Sequence, residues 1–174
     1  MENPFETFGL PLRFDLESDE IELRYRELQR SVHPDRHVQS APDVRRAALS
    51  GAVDVSEAYR TLRDDALRAE ALLRALGHPI DPEAARADPE LLMEVMELRE
   101  SLHDARVAGD ARRVDGLRGR VVAARDTTVA DLKLTFAAKD LARAAALVGR
   151  LRYYRRFLEE VAGFEDEDTQ HGSR

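Results

Sequence analysis

The sequence predicts an all-α chain: a helical hairpin domain followed by an antiparallel three-helix bundle. Apolar residues recur at three- and four-residue spacing along most of the 174 residues, and no stretch alternates with period two for long. Breakers and caps punctuate that pattern at intervals suited to helices of three to seven turns. The connections between the last three helices are short, which implies antiparallel neighbours.

Asn3-Pro4 is suited to cap a short first helix that carries Phe5 and Phe8 and ends at Gly9. A connector containing Pro11 runs from Leu10 to Leu16. Ser18 or Asp19 is then expected to cap the second helix, with Glu22 in capping-box position after Asp19. Ile21, Tyr25, Leu28 and Val32 follow at steps of four, three and four, a buried stripe. Pro34 stops that helix by biasing His33 away from helical geometry. After a polar loop over 33–42, a third helix starts near Pro42-Asp43. Its inward face is expected to carry Val44, Ala48, Val55, Tyr59 and Leu62, with Gly51 weakening the centre. Helix 64–76 stops at Gly77-His78-Pro79, a C-cap glycine and a breaker.

Residues 1–77 therefore form one domain, and 78–88 a Pro-containing linker. Three more helices are expected at 89–107, 110–137 and 140–162, divided by Gly109-Asp110 and Lys139-Asp140. Val114, Leu117, Val121, Thr128 and Leu132 hold the stripe of the middle one despite Gly116 and Gly119. This second domain spans 89–164, and the acidic residues 165–174 are expected to be a flexible tail.

Composition narrows the chemistry. The absence of cysteine excludes disulfides, thiolate metal sites and a cysteine nucleophile. No apolar run approaches the roughly 18 residues of a membrane helix, and Met1-Glu2-Asn3-Pro4 lacks the features of a signal peptide. A cytoplasmic protein that binds neither membrane nor nucleic acid is expected, the latter from a net charge of −7. That charge is unevenly divided. Residues 81–104 hold eight acids against Arg86 and Arg99, whereas 105–156 hold thirteen basic residues against five Asp. Neighbouring helices with complementary faces account for the division, and the scarcity of interleaved aromatics disfavours a nucleic-acid stripe.

His33-Pro34-Asp35 is the short motif that stands out. His33, Asp35 and His37 at alternate positions form a conceivable metal cluster, although a fourth ligand is not apparent. A His–Asp dyad lacks a nucleophile beside it. A structural loop, in which Pro34 ends the helix and Asp35 caps local amides, is the plain alternative. The preceding helix adds a surface: Arg26 and Arg30 lie within about 40° of each other and roughly opposite the Ile21 stripe. The tripeptide follows Ile21-Glu22-Leu23-Arg24-Tyr25-Arg26-Glu27-Leu28-Gln29-Arg30-Ser31-Val32 and precedes Glu57-Ala58-Tyr59-Arg60-Thr61-Leu62. Over residues 3–70 this arrangement resembles the J-domain of DnaJ-type co-chaperones. The resemblance implies that Arg26, Arg30, His33, Pro34 and Asp35, aided by Arg24 and Arg36, dock on a DnaK-type ATPase and stimulate it. Glu22 and Glu27 beside this face depart from the more basic general pattern, which points to a specialised partner or weaker docking.

Helix 89–107 has more apolar surface than a bundle core requires. Leu91, Val95, Leu98 and Leu102 lie within about 60° of one another, a sufficient core stripe. Leu92, Met93 and Met96 lie on another side, flanked by Glu97 and Glu100. An apolar patch with a carboxylate rim suits partner binding, and Met adapts to irregular surfaces. The alternative is that helix 64–76 or the other domain covers it. In the last helix, Leu147, Leu151, Tyr154 and Leu158 mark the core side, and Tyr153 points away or lies over a neighbour.

Arg68-Ala69-Glu70-x-Leu72-Leu73 and Leu91-Leu92-Met93-Glu94-Val95-Met96-Glu97-Leu98-Arg99-Glu100 resemble the HscB family, J-domain co-chaperones of iron–sulfur cluster assembly. The resemblance spans nearly the whole chain. It implies that Leu92, Met93, Met96, Glu97, Glu100 and Tyr153 bind the scaffold protein IscU, with Met96 where Leu is frequent. It further implies a non-enzymatic adaptor that serves an HscA- or DnaK-type ATPase, with no catalytic residue, metal or cofactor of its own. A J-domain adaptor with an unrelated client, and metal-dependent catalysis at His33, Asp35 and His37, are the competing readings.

Overall fold

The computed structural model describes residues 3–33, 41–80 and 89–171, with side chains to Ala162 and Gly163 in the last helix. Among them every regular element is a helix, and the chain divides into two compact units, Met1–Pro79 and Ile80–Arg174.

In the first unit, α1 (Pro4–Phe8) is capped as its sequence requires. The Asn3 side chain accepts from the Phe5 amide at 3.1 Å, and Gly9 closes the helix at φ 60°. Phe5 and Phe8 are buried, joined by Leu10, Phe14 and Leu16 from the connector. α2 (Ser18–Val32) departs from expectation at its start, because the N-cap is Glu17 and no side chain caps it. Glu22 is drawn away from the capping-box role by Tyr59, whose hydroxyl donates to it at 2.5 Å. Only Ile21 of the expected stripe is fully buried; Tyr25, Leu28 and Val32 are half-buried.

α3 (Pro42–Arg63) packs along both α1 and α2. Gly51, expected only to weaken this helix, has a packing role: a Cβ there would lie 3.4 Å from Val32 Cγ1. Since Val32 is the last helical residue of α2, the first turns of α3 project past the helical part of its partner. Val44 is consequently exposed, against expectation, while Ala48, Val55, Ala58 and Leu62 form the inward face. α4 (Asp65–Ala75) is capped by Asp64, which accepts from the Leu67 amide at 2.9 Å. It ends where Gly77 takes φ 76° and the His78 amide donates to the Leu73 carbonyl at 2.8 Å. Here glycine supplies the left-handed turn that closes the helix.

The HscB-like Arg-Ala-Glu segment acquires a structural meaning in α4. Arg68 is only 7% exposed and gathers three elements onto one guanidinium. Its Nε donates to the Phe14 carbonyl at 3.0 Å, Nη1 to the Leu62 carbonyl at 2.6 Å, and Nη2 pairs with Asp65. The guanidinium also lies over the Phe14 ring at 4.9 Å. Ala69, Leu72 and Leu73 are fully buried beside it.

In the second unit, α5 (Pro89–Val107), α6 (Ala111–Ala137) and α7 (Leu141–His171) form an up-down-up bundle, with α6 packed along both neighbours. Asp110 and Asp140 cap α6 and α7, accepting from the Arg113 and Arg143 amides at 3.0 Å each. Lys139 takes the left-handed turn before α7 at φ 58°. The core is built from Leu91, Leu98, Leu102, Leu117, Val121, Leu132, Val148, Leu151, Tyr154, Phe157 and Val161. Two expectations shift by one position: Val148 and Phe157 are buried, whereas Leu147 and Leu158 are half-buried. Val95 is half-buried as well, at the margin of the α5 core stripe. α7 continues to His171 instead of ending at 162. A lone Gly163 costs only about 1 kcal/mol, and no proline follows it. The expected linker residues 81–88 lie outside the described residues.

Candidate functional sites

The helical hairpin positions the first site. Tyr25 of α2 stacks on Tyr59 of α3 with ring centroids 3.9 Å apart and planes 13° from parallel. Glu22 accepts from the Tyr59 hydroxyl through one oxygen and from Arg26 Nε through the other, at 3.1 Å. The Tyr59 hydrogen bond, and then Arg26 and Arg63, hold the Glu22 carboxyl below its ordinary range, while the same bond raises the Tyr59 phenol. Glu22, noted in the sequence as an acidic intrusion, thus ties α2 to α3.

On the exposed surface of α2, Arg24 pairs with Glu27 at 3.5 Å on one side, and Arg30 Nε donates to the Arg26 carbonyl at 3.1 Å on another. Arg24, Arg26 and Arg30 are all exposed, as is His33 at the end of the helix. His33 is the C-cap residue, with φ −61° and ψ 126°, so the chain leaves α2 there in extended geometry. That conformation is the one a following proline favours. Pro34, Asp35, Arg36 and His37 lie outside the described residues. The structure therefore places Arg26 and Arg30 within about 40° of each other near the end of α2 where His33 emerges, whereas Arg24 lies about 120–160° round the helix from them, and the metal alternative rests on Asp35 and His37, outside the described residues.

The second site lies on α5. Leu92, Met93 and Met96 are 54%, 64% and 63% exposed, with Glu97 and Glu100 exposed beside them. They stand free of the bundle core, which Leu91, Leu98, Leu102 and Ala105 of the same helix already serve. Tyr153 of α7 is half-buried over α5, its hydroxyl donating to the Val95 carbonyl at 3.3 Å. Burial pushes its phenol up to about 12, with Arg99 opposing the rise.

A family model described as the HSCB C-terminal oligomerisation domain matches residues 87–162. A co-chaperone protein HscB homolog from Aliivibrio salmonicida is 34% identical over 167 residues, which cover 95% of this chain and 98% of that protein. The chain belongs to the HscB family of co-chaperones. A solved structure of the chaperone HscB from Vibrio cholerae has a TM-score of 0.83 at 32% identity, covering 95% of this chain and 99% of its own. The crystal structure of the human co-chaperone protein HscB shares the fold at TM-score 0.86 and 23% identity, over 95% and 83% of the two chains.

Within this HscB-family chain, sequence reasoning missed the set of contacts that fixes the α5 patch from behind. Tyr154 donates to the Glu94 carboxylate at 3.1 Å, and Arg150 stands 3.9 Å from Glu94 and 3.7 Å from Glu90. Burial, then the Glu94 charge, raises the Tyr154 phenol. Farther along, Arg106 holds Glu160 through its carboxylate at 3.4 Å and its carbonyl at 3.1 Å. The acidic run of 81–104 and the basic run of 105–156 were the visible signal, read as complementary faces without their pairing, and the Arg106–Glu160 pair runs in the opposite sense. Among the described residues no helix is long and apolar enough to cross a membrane.

Proposed function

We propose that the chain works as a two-ended adaptor in iron–sulfur cluster assembly. The first domain, residues 1–77, recruits and stimulates an HscA- or DnaK-type ATPase. Arg24, Arg26 and Arg30 steer an acidic partner surface, as charged rims do, and His33-Pro34-Asp35-Arg36 engages it where α2 ends. The second domain, residues 89–164, presents an IscU-type scaffold protein held on Leu92, Met93, Met96, Glu97, Glu100 and Tyr153. Tethering both partners to one chain raises the scaffold's effective concentration at the ATPase.

One observation carries this reading: α5 exposes a methionine-rich patch although its opposite side already fills the bundle core. More than half of each side chain in that patch stays exposed, and its acidic rim selects a partner with basic groups around an apolar centre. The chain acts without catalysis or a cofactor of its own, since ATP and the cluster belong to the partners, and it works in the cytoplasm.

Replacing Leu92 and Met96 together with Ser is expected to weaken scaffold binding by about 3 kcal/mol or more, as the loss of two central anchors does. Isothermal titration of an IscU-type scaffold into the full chain measures it. Both side chains are exposed, so the thermal melt should hold. Wild-type affinity in the double variant would move the site elsewhere and favour an unrelated client.

A further inference from the structure

The second unit has five large apolar side chains exposed among its described residues: Leu92, Met93, Met96, Val107 and Leu134. Four of them belong to α5. At 100° per residue, Leu92, Met93, Met96, Glu100, His103 and Val107 fall within about 100° of one another. Their centre lies about 160° from that of the buried Leu91, Leu98, Leu102 and Ala105. Val107 is 77% exposed, the highest value of any large apolar residue described, and it stands at the last helical position before the Gly109 turn. Valine is a poor choice for an exposed helix end on propensity alone. Its place on the same line as Leu92 and Met96 gives it a use.

Charge frames the whole length of this line. Glu97, Glu100 and Asp104 follow one edge, all exposed, while exposed Arg99 lies beside the other. The carboxylates therefore continue past the methionines toward Val107, as a rim does around one continuous contact.

We infer that the client-binding surface of α5 continues beyond Glu100 through His103 to Val107. It fits a partner with apolar contacts at both ends of a line about 22 Å long, the rise of four helical turns, and polar groups between them facing Glu100 and His103. That line is flanked by Lys or Arg opposite the α5 carboxylates. The inference rests on the reading of Leu92, Met93 and Met96 as the scaffold-binding site, and it gives that site a second end and a required partner chemistry.

Titrating a purified IscU-type scaffold into full-length Val107→Lys, Val107→Ala and Met96→Ser chains tests it. Lysine suits a helix C-terminus and raises helix propensity, so Val107→Lys should melt as the wild type does. It nevertheless removes the apolar contact and repels a basic flank. Its affinity is expected to fall about tenfold, with Val107→Ala falling about threefold. Wild-type affinity in both Val107 variants, with Met96→Ser weakened, would end the contact before Val107 and overturn the inference alone. Wild-type affinity in all three would overturn the scaffold-site reading together with it.

Discussion

His33→Gln is expected to abolish stimulation of the partner ATPase while leaving scaffold affinity within about twofold of wild type. The separation follows from where His33 stands. It is exposed, it terminates α2, and it is absent from the buried core, so the substitution removes an imidazole without opening a cavity. Glutamine keeps a hydrogen-bonding side chain of similar reach, so the fold of the hairpin persists. The proposed scaffold face, on α5, lies in the other compact unit. A steady-state ATPase assay with the purified chaperone, paired with a thermal melt, reads both parts. Undiminished stimulation would remove the docking role assigned to the end of α2.

The largest expected effect on stability belongs to Arg68. Truncation to Ala would strand the Phe14 and Leu62 carbonyls, leave Asp65 without its guanidinium partner and open space beneath the Phe14 ring. Breaking a buried charged network of this kind costs about 3–5 kcal/mol. Arg68→Lys should recover only part of this, because a single ammonium cannot span a fork with three acceptors. Amide hydrogen exchange distinguishes the two units: protection should fall across α1 to α4 and remain unchanged across α5 to α7. Undiminished protection in α1 to α4 would show that Arg68 is dispensable there.

Local signals in the sequence were read well where a single segment decides the outcome. Asn3 and Gly9 bracket α1, and Gly77 closes α4, because caps depend on residues a few positions apart. Glu22 was misread for the complementary reason. Its spacing from Asp19 suits a capping box, but Tyr59, thirty-seven residues away, takes its carboxylate. Arg68 appeared only as one letter of a family motif, since its acceptors at Phe14 and Leu62 come from elements that only the fold brings together. Adjacent apolar pairs such as Leu147-Val148 and Phe157-Leu158 leave a helix face undecided by about 100°, and packing against α6 selects the second and first members respectively. The exposed face of α5 was legible because exposure follows from an excess: α5 carries more apolar residues than one buried stripe can use.

Coupling of two partners by one chain is read out by the steady-state ATPase rate of the HscA- or DnaK-type chaperone with this chain, in the presence and absence of the scaffold protein. The Leu92→Ser, Met96→Ser double variant serves as the comparison. The wild type is expected to stimulate more strongly when the scaffold is present, and the double variant should keep the scaffold-free stimulation while losing that increment. An undiminished increment in the double variant would show that the α5 patch does not couple the scaffold to the ATPase.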